Sequence, residues 1–187
     1  MYIRRFLSSN LTNNQRERGE TMSSSLSETD VHRLPCTWCL YYHSPHEKDW
    51  SSKSYTKVVS LSSMEGFCAL GTVLPSFCLQ YGMFFLMRGD IFPTWEDSRN
   101  KSGGCWSYKV PLSQVHLVWR EMAMHLIIEE LSTVPLLLNG ISISPKRGFC
   151  IVKIWNKNSS QTSTSLLHQA IPSLKHSESI YVPFKNK

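Results

Sequence analysis

Apolar positions fall into two regimes along the chain. Up to about residue 30 the sequence is rich in Ser, Asn, Thr and Arg with no repeating apolar spacing, so 1–30 is expected as a disordered N-terminal tail. From Trp38 onward, short runs alternate apolar with polar at a period of two and predict strands at 38–43, 55–61, 83–88, 105–110, 138–144, 149–155 and 179–184. Three stretches change to a helical period. The clearest, 112–131, places Val115, Val118, Trp119, Met122, Leu126 and Ile127 on one stripe. A shorter one, 63–72, has Ser62 and Glu65 at capping-box spacing, with Phe67 and Leu70 pointing one way. A third covers 164–170 and is ended by Pro172. This pattern predicts one α+β domain over 31–187: a mostly antiparallel sheet, with about three helices on one face and the other face free.

The strand at 149–155 says which residues the free face carries. Alternation sends Cys150, Val152 and Ile154 to the helix-covered core and Ile151, Lys153 and Trp155 to the opposite side. Ile141 and Ile143 alternate with Ser142 and Ser144 in the same way, and the turn between the two strands reads Pro145-Lys146-Arg147-Gly148. A Trp and a Lys therefore share the open face, beside a basic turn suited to phosphate.

Composition narrows the partner. The 187 residues, 41% hydrophobic, are enough for a single core. The net charge of +6 favours an anionic partner without locating a patch. No apolar run approaches the roughly 20 residues of a membrane-spanning helix, so a soluble protein with no membrane partner is expected. The six Cys lack the regular spacing of a disulfide scaffold and read as reduced thiols in a cytosolic protein. Cys36 and Cys39, followed by His43 and His46, imitate a zinc site, but the Cys-to-His gap is too short and the segment reads as a strand; no metal and no cofactor is expected. Met1 to Leu7 faintly imitates an import sequence, and Glu17 and Glu20 follow too soon for one. A start at Met22 would lose little.

Six Trp need either a core or a flat ligand. Trp38, Trp106 and Trp119 sit in strand or helix patterns and read as core. Trp95 instead lies in the loop Asp90-Ile-Phe-Pro-Thr-Trp-Glu-Asp-Ser-Arg-Asn-Lys-Ser-Gly-Gly-Cys-Trp106. Its π face beside the hydrogen-bond-accepting Glu96 suits a flat, electron-poor base with adjacent N–H donors, such as guanine methylated at N7. Asp97 reads as an acceptor for local backbone N–H groups.

This loop closely resembles the signature of the eukaryotic translation initiation factor 4E family, Pro-x-Trp-Glu-Asp followed by Asn-Lys-x-Gly-Gly-x-Trp. The likeness spans about 32–184, through Trp38, Leu40, Tyr41-Tyr42, Lys48-Asp-Trp50-Ser51, Trp119 and Asn139-Gly140 to Ile154-Trp155. It implies a curved sheet with helices on the convex face and a slot on the concave side for the 7-methylguanosine cap of mRNA. It makes Trp50 and Trp95 the two slices around the base, Glu96 the reader of its N1 and 2-amino edge, and Trp155 the contact to the N7 methyl. Lys146, shared with or replaced by Arg147, would meet the cap phosphates. Where the family carries further basic residues this chain has Cys105 and Ile151, with Lys153 and Lys157 as substitutes. On the back of the sheet His32, Leu34, Phe67 and Cys68 stand where the family grips a 4G scaffold or another 4E-binding protein, and Cys68 replaces a Trp there, which implies an altered interface. The resemblance also implies a flexible closing loop near the cap phosphates, expected to be reduced here.

The resemblance implies a cytoplasmic monomer that recruits capped mRNA to translation initiation. A cap-binding repressor or specialised mRNA-fate factor that does not use the usual 4G scaffold is a second reading, and a non-specific single-stranded RNA binder a third. An enzyme that hydrolyses the cap would need a carboxylate cluster for metal. Arg120-Glu121 and Glu129-Glu130 are too few, and no nucleophile–base pair has local support.

Overall fold

The computed structural model describes residues 31–169, 171 and 174–184. The expected tail, 1–30, lies outside the described residues. In chain order the elements are β1 (Arg33–His43), β2 (Thr56–Ser63), α1 (Met64–Val73), α2 (Ser76–Tyr81), β3 (Met83–Arg88), β4 (Gly104–Pro111), α3 (Val115–Ile127), β5 (Leu138–Lys146), β6 (Phe149–Asn156) and β7 (Ile180–Pro183). The seven strands form one curved antiparallel sheet in the order β2-β1-β3-β5-β6-β4-β7. All seven predicted strands are present.

Period-two alternation divides the sheet as the sequence requires. One face carries the main core, with Leu40, Phe84, Leu86, Trp106, Ile141, Ile143, Cys150, Val152 and Ile154 all buried against the helices. The α3 stripe of Val115, Val118, Trp119, Met122, Leu126 and Ile127 is buried there in full. The other face carries a smaller cluster of Cys39, Tyr41, Phe85, Met87, Ile91, Cys105 and Trp155. Trp38, Trp106 and Trp119 are core residues, as their patterns predict. The Trp106 indole N–H also donates to the Thr162 carbonyl at 2.8 Å.

The helices differ from the pattern in the sequence. The N-cap of α1 is Ser63, whose hydroxyl accepts from the Gly66 N–H at 3.2 Å, one residue after the expected Ser62. Glu65, in the first turn, accepts from the His32 backbone N–H and sits 2.7 Å from its ring. The third helix is not at 164–170, where only a 3-10 turn, Thr164–Leu166, forms. The Leu166 carbonyl accepts from Thr133 N–H and the Ser132 hydroxyl, and His168 N–H donates to Leu131, so the backbone is spent on 131–133 instead of on a helix. The sheet's third helix is α2, whose six residues are too few to show a period; it follows Pro75 and buries Cys78 and Leu79.

Helix α3 begins three residues later than predicted, after a turn at 112–114, and it stops short of 131 where Glu129 adopts φ 63°, the left-handed region that ends a helix. Its carboxylate pairs with Arg88, which also donates to the Leu138 and Pro135 carbonyls and to the Cys36 sulfur, and lies 4.6 Å over the Trp38 ring. One guanidinium thus ties β1, β3, the end of α3 and the start of β5 together.

Candidate ligand cleft on the open sheet face

Trp50 follows β1 in the loop to β2, and Trp95 lies in the loop between β3 and β4. From these separate loops both side chains reach one cleft of about 310 Å³ on the open face, lined also by Tyr55, Phe85, Glu96, Ser142, Ser144, Lys153, Trp155 and Phe184. Both indoles keep a large free surface, 53% for Trp50 and 41% for Trp95, which is unusual for residues so costly to expose. Glu96 is exposed beside Trp95 and near enough to Tyr55 to matter electrostatically. Burial, with the Glu96 charge adding to it, pushes the Tyr55 hydroxyl up to about 12.

Trp155 forms the floor. It is 6% exposed, packs at 4.9 Å from Phe184 and 6.3 Å from Phe85, and donates its indole N–H to the Ser142 hydroxyl at 2.9 Å. That bond satisfies the ring's polar edge and fixes its orientation, leaving its apolar edge for the cleft.

The loop bearing Trp95 is braced from beneath. Asn100, fully buried, donates from its amide nitrogen to the Phe92 carbonyl at 2.9 Å and the Thr94 carbonyl at 2.8 Å, while its oxygen accepts from Asn139 at 2.9 Å. Asp97 accepts from the Phe92 N–H and from Arg99, which also pairs with Asp90. The Arg99 bonds hold the Asp97 carboxyl down to about 2. At the loop's end Gly103 and Gly104 run against β6 and β7, where a side chain at Gly103 would fall on the Asn156 carbonyl. The Gly pair is therefore a requirement of close backbone approach.

The basic residues divide. Lys153 lines the cleft between Trp155 and the hairpin. Lys146 follows Ser142 and Ser144 on the cleft face of β5, and Lys146 and Arg147 are exposed at the β5–β6 turn, outside the cleft lining. Lys157 lies beyond the opposite end of β6, with Trp155 between it and Lys153. Cys105 is buried in the open-face cluster, directly opposite Trp155 in register.

On the helix side, Leu34 and Phe67 are partly buried against the main core, and His32 and Cys68 are exposed. The His32–Glu65 contact draws the start of β1 onto the first turn of α1, so these four residues share one region. The imitation zinc site is dispersed. Cys36 meets Arg88, whereas Cys39 is buried in the open-face cluster and His43 packs against Trp50. The carboxylates weighed for hydrolysis are likewise apart, Glu129 on Arg88, Glu121 on Arg120 and Glu130 beside His125.

Periodicity set Ser142 on the open face without its bond to Trp155, and it missed the roles of Asn100, Asn139 and His43, whose partners are backbone carbonyls or residues distant in sequence. The Asn-Lys and Asn-Gly dipeptides of the signature were the available signal for the two amides.

The class of fold is an antiparallel sheet backed by helices, whose open face carries a cleft lined by two half-exposed indoles, a carboxylate and a buried third indole. The sequence profile described as Eukaryotic initiation factor 4E matches residues 33–186, and the chain belongs to that family. A eukaryotic translation initiation factor 4E from Eremothecium gossypii is 29% identical over 157 residues, covering 80% of this chain and 74% of that one. Among solved structures, a complex of C. elegans eIF4E-3 with the 4E-binding protein Mextli and cap analog superposes with TM-score 0.64 at 21% identity, over 70% of this chain and 77% of that chain. A schistosome eIF4E complexed with m7GpppG and 4E-BP gives TM-score 0.64 at 24% identity, covering 71% and 75%. Among the described residues no helix is long and apolar enough to cross a membrane.

Proposed function

We propose that this protein binds the 7-methylguanosine cap of mRNA and serves translation initiation in the cytoplasm, as a binding protein and not an enzyme. The observation that carries the reading is that Trp50 and Trp95, from different loops, stay half exposed on one cleft with Glu96. N7-methylated guanine is a flat cation, attracted to indole faces, and each stacking contact contributes about 1–3 kcal/mol. Trp50 and Trp95 enclose the base, the Glu96 carboxylate accepts from its N1–H and 2-amino group, and Trp155 meets the methyl. Lys153 at the cleft and Lys146 and Arg147 at the hairpin tip receive the phosphates. The family membership and the cap ligands of its structural relatives support this reading.

Binding is tested by retention on a cap-analogue resin. Trp50→Ala and Trp95→Ala should each lose retention with the circular dichroism spectrum unchanged; full retention by both refutes the sandwich. Competition by methylated but not unmethylated GTP separates cap binding from general single-strand binding.

On the back of the sheet we infer a docking region for a 4G-like scaffold or another 4E-binding protein at His32, Leu34, Phe67 and Cys68. The exposed Cys68 offers little anchoring area. That observation favours, as a second reading, a cap-binding repressor or specialised factor with a different partner. Pull-down of a 4E-binding peptide by wild type and Cys68→Trp decides between them, since a scaffold-dependent factor binds without the substitution.

A further inference from the structure

His43 is fully buried, yet it touches the cleft through Trp50. It ends β1, on the same face as Cys39 and Tyr41, and its ring lies 4.3 Å from the Trp50 ring at an interplanar angle of 8°. Tyr55 closes on it at 4.7 Å, and its register partner on β3 is Met83. Nε2 is 2.9 Å from the Asp49 carbonyl oxygen, which can only accept, so Nε2 carries hydrogen and clamps the residue preceding Trp50. Nδ1 is buried without a hydrogen-bond partner among the described residues. The charged and titratable groups nearby are the Asp49 carboxylate, engaged by the Ser51 N–H and hydroxyl, the Tyr55 hydroxyl, and Glu96, which also lines the cleft.

We propose that His43 is a specificity-determining residue of the cleft, acting through Trp50; this rests on the cap-binding reading. Two physical effects follow from the stack. First, Trp50 is 53% exposed and sits on a loop, so a parallel ring behind it and a hydrogen bond to the adjacent carbonyl hold its free face toward the cleft before any ligand arrives. Second, an indole attracts a cation through its π density, which both faces share. A ring on the back face whose Nε2–H is given to the Asp49 carbonyl and whose Nδ1 meets no acceptor among the described residues leaves that density to a cationic base in front. A cationic side chain at position 43 would compete for it and repel the base through the ring. Such a side chain therefore weakens binding of the charged, methylated guanine more than of its neutral, unmethylated counterpart. The residue behind the indole sets discrimination as well as affinity.

The test uses the full chain with His43→Ala, His43→Phe and His43→Lys, titrated by intrinsic fluorescence with 7-methyl-GTP and with GTP. His43→Ala should weaken 7-methyl-GTP binding about tenfold, and His43→Phe, which restores the stack, should recover to within about threefold of wild type. His43→Lys should narrow the preference for 7-methyl-GTP over GTP by about tenfold. A ligand-free readout is the 19F resonance of Trp50 in 5-fluorotryptophan-labelled protein, assigned with Trp50→Phe, which should broaden in His43→Ala and sharpen again in His43→Phe. Wild-type affinity and an unchanged Trp50 resonance in His43→Ala overturn the proposal, as does a wild-type methylation preference in His43→Lys. Should the lysine variant not fold, His43→Arg, whose planar cation can stack behind the indole, takes its place, with the same narrowing expected and a wild-type preference again overturning the proposal. Failure of wild type to bind 7-methyl-GTP overturns the cap reading instead, while the resonance still reports whether His43 holds Trp50.

Discussion

Glu96 and Asn100 lie in one loop and do opposite work. Glu96 points to solvent beside Trp95, where a carboxylate can accept two hydrogen bonds at once. Glu96→Gln replaces one acceptor with a donor and is expected to lower the preference for a guanine edge by about 1.5–3 kcal/mol, roughly ten- to a hundredfold in affinity, read by fluorescence titration. Unchanged selectivity would remove Glu96 from the site. Asn100 is buried and saturates the Phe92 and Thr94 carbonyls, so its contribution is to loop shape. Asn100→Leu removes one of the two hydrogen bonds that each carbonyl accepts, the other coming from the Thr94 or Asp97 N–H, and takes the Asn139 amide's acceptor with it; a loss of about 1–3 kcal/mol in denaturant unfolding, with weakened cap-resin retention, is the expected outcome. Trp95, Glu96 and Asp97 were legible because they are contiguous and chemically distinctive. The work of Asn100 and the bond from Trp155 to Ser142 were not, because an amide bonded to a carbonyl or a hydroxyl bonded to an indole across two strands leaves no periodic trace; alternation gave only the face on which Ser142 lies.

At the scale of elements, strands were more legible than helices. Alternation needs only a few residues to declare a face, so seven strands and the two-sided character of β5 and β6 emerged from the sequence. A helical stripe needs two or three turns, which α3 has and α2 lacks. The stop of α3 is also tertiary in origin, since Glu129 holds its left-handed conformation while pairing with Arg88. Both side chains are mostly shielded, so Glu129→Ala is expected to cost about 3 kcal/mol. Glu129→Gly should cost about 1 kcal/mol less, because glycine accepts that backbone conformation. Equal melting temperatures for the two variants would show that backbone strain plays no part.

Across the whole molecule, charge sets how the cleft loop depends on pH. The Arg99 bonds depress the Asp97 carboxyl from an ordinary 3.8 to about 2. The stabilisation is therefore fully present above about pH 4 and is lost as pH falls toward 2. Asp97→Asn should lower the melting temperature at pH 7, and its difference from wild type should shrink steadily as pH falls from 4 toward 2. A difference as large at pH 2 as at pH 7 would assign the effect to shape instead of charge.

What the sequence determined by itself was the architecture and the chemical inventory of the cleft. Period-two and helical patterns are local consequences of backbone geometry, and a contiguous Trp-Glu-Asp loop carries its chemistry in order. The resemblance paired Trp50 with Trp95, 45 positions apart by number, but no pattern in the chain does, and it is the tertiary structure that opens both onto one cleft. It alone stacked His43 behind one of them, turned Trp155 by a bond to Ser142, and spent the backbone of 164–168 on a neighbouring segment. Such pairings depend on which strands lie side by side, and strand order follows from the summed burial of the whole sheet, which no local window of the sequence contains.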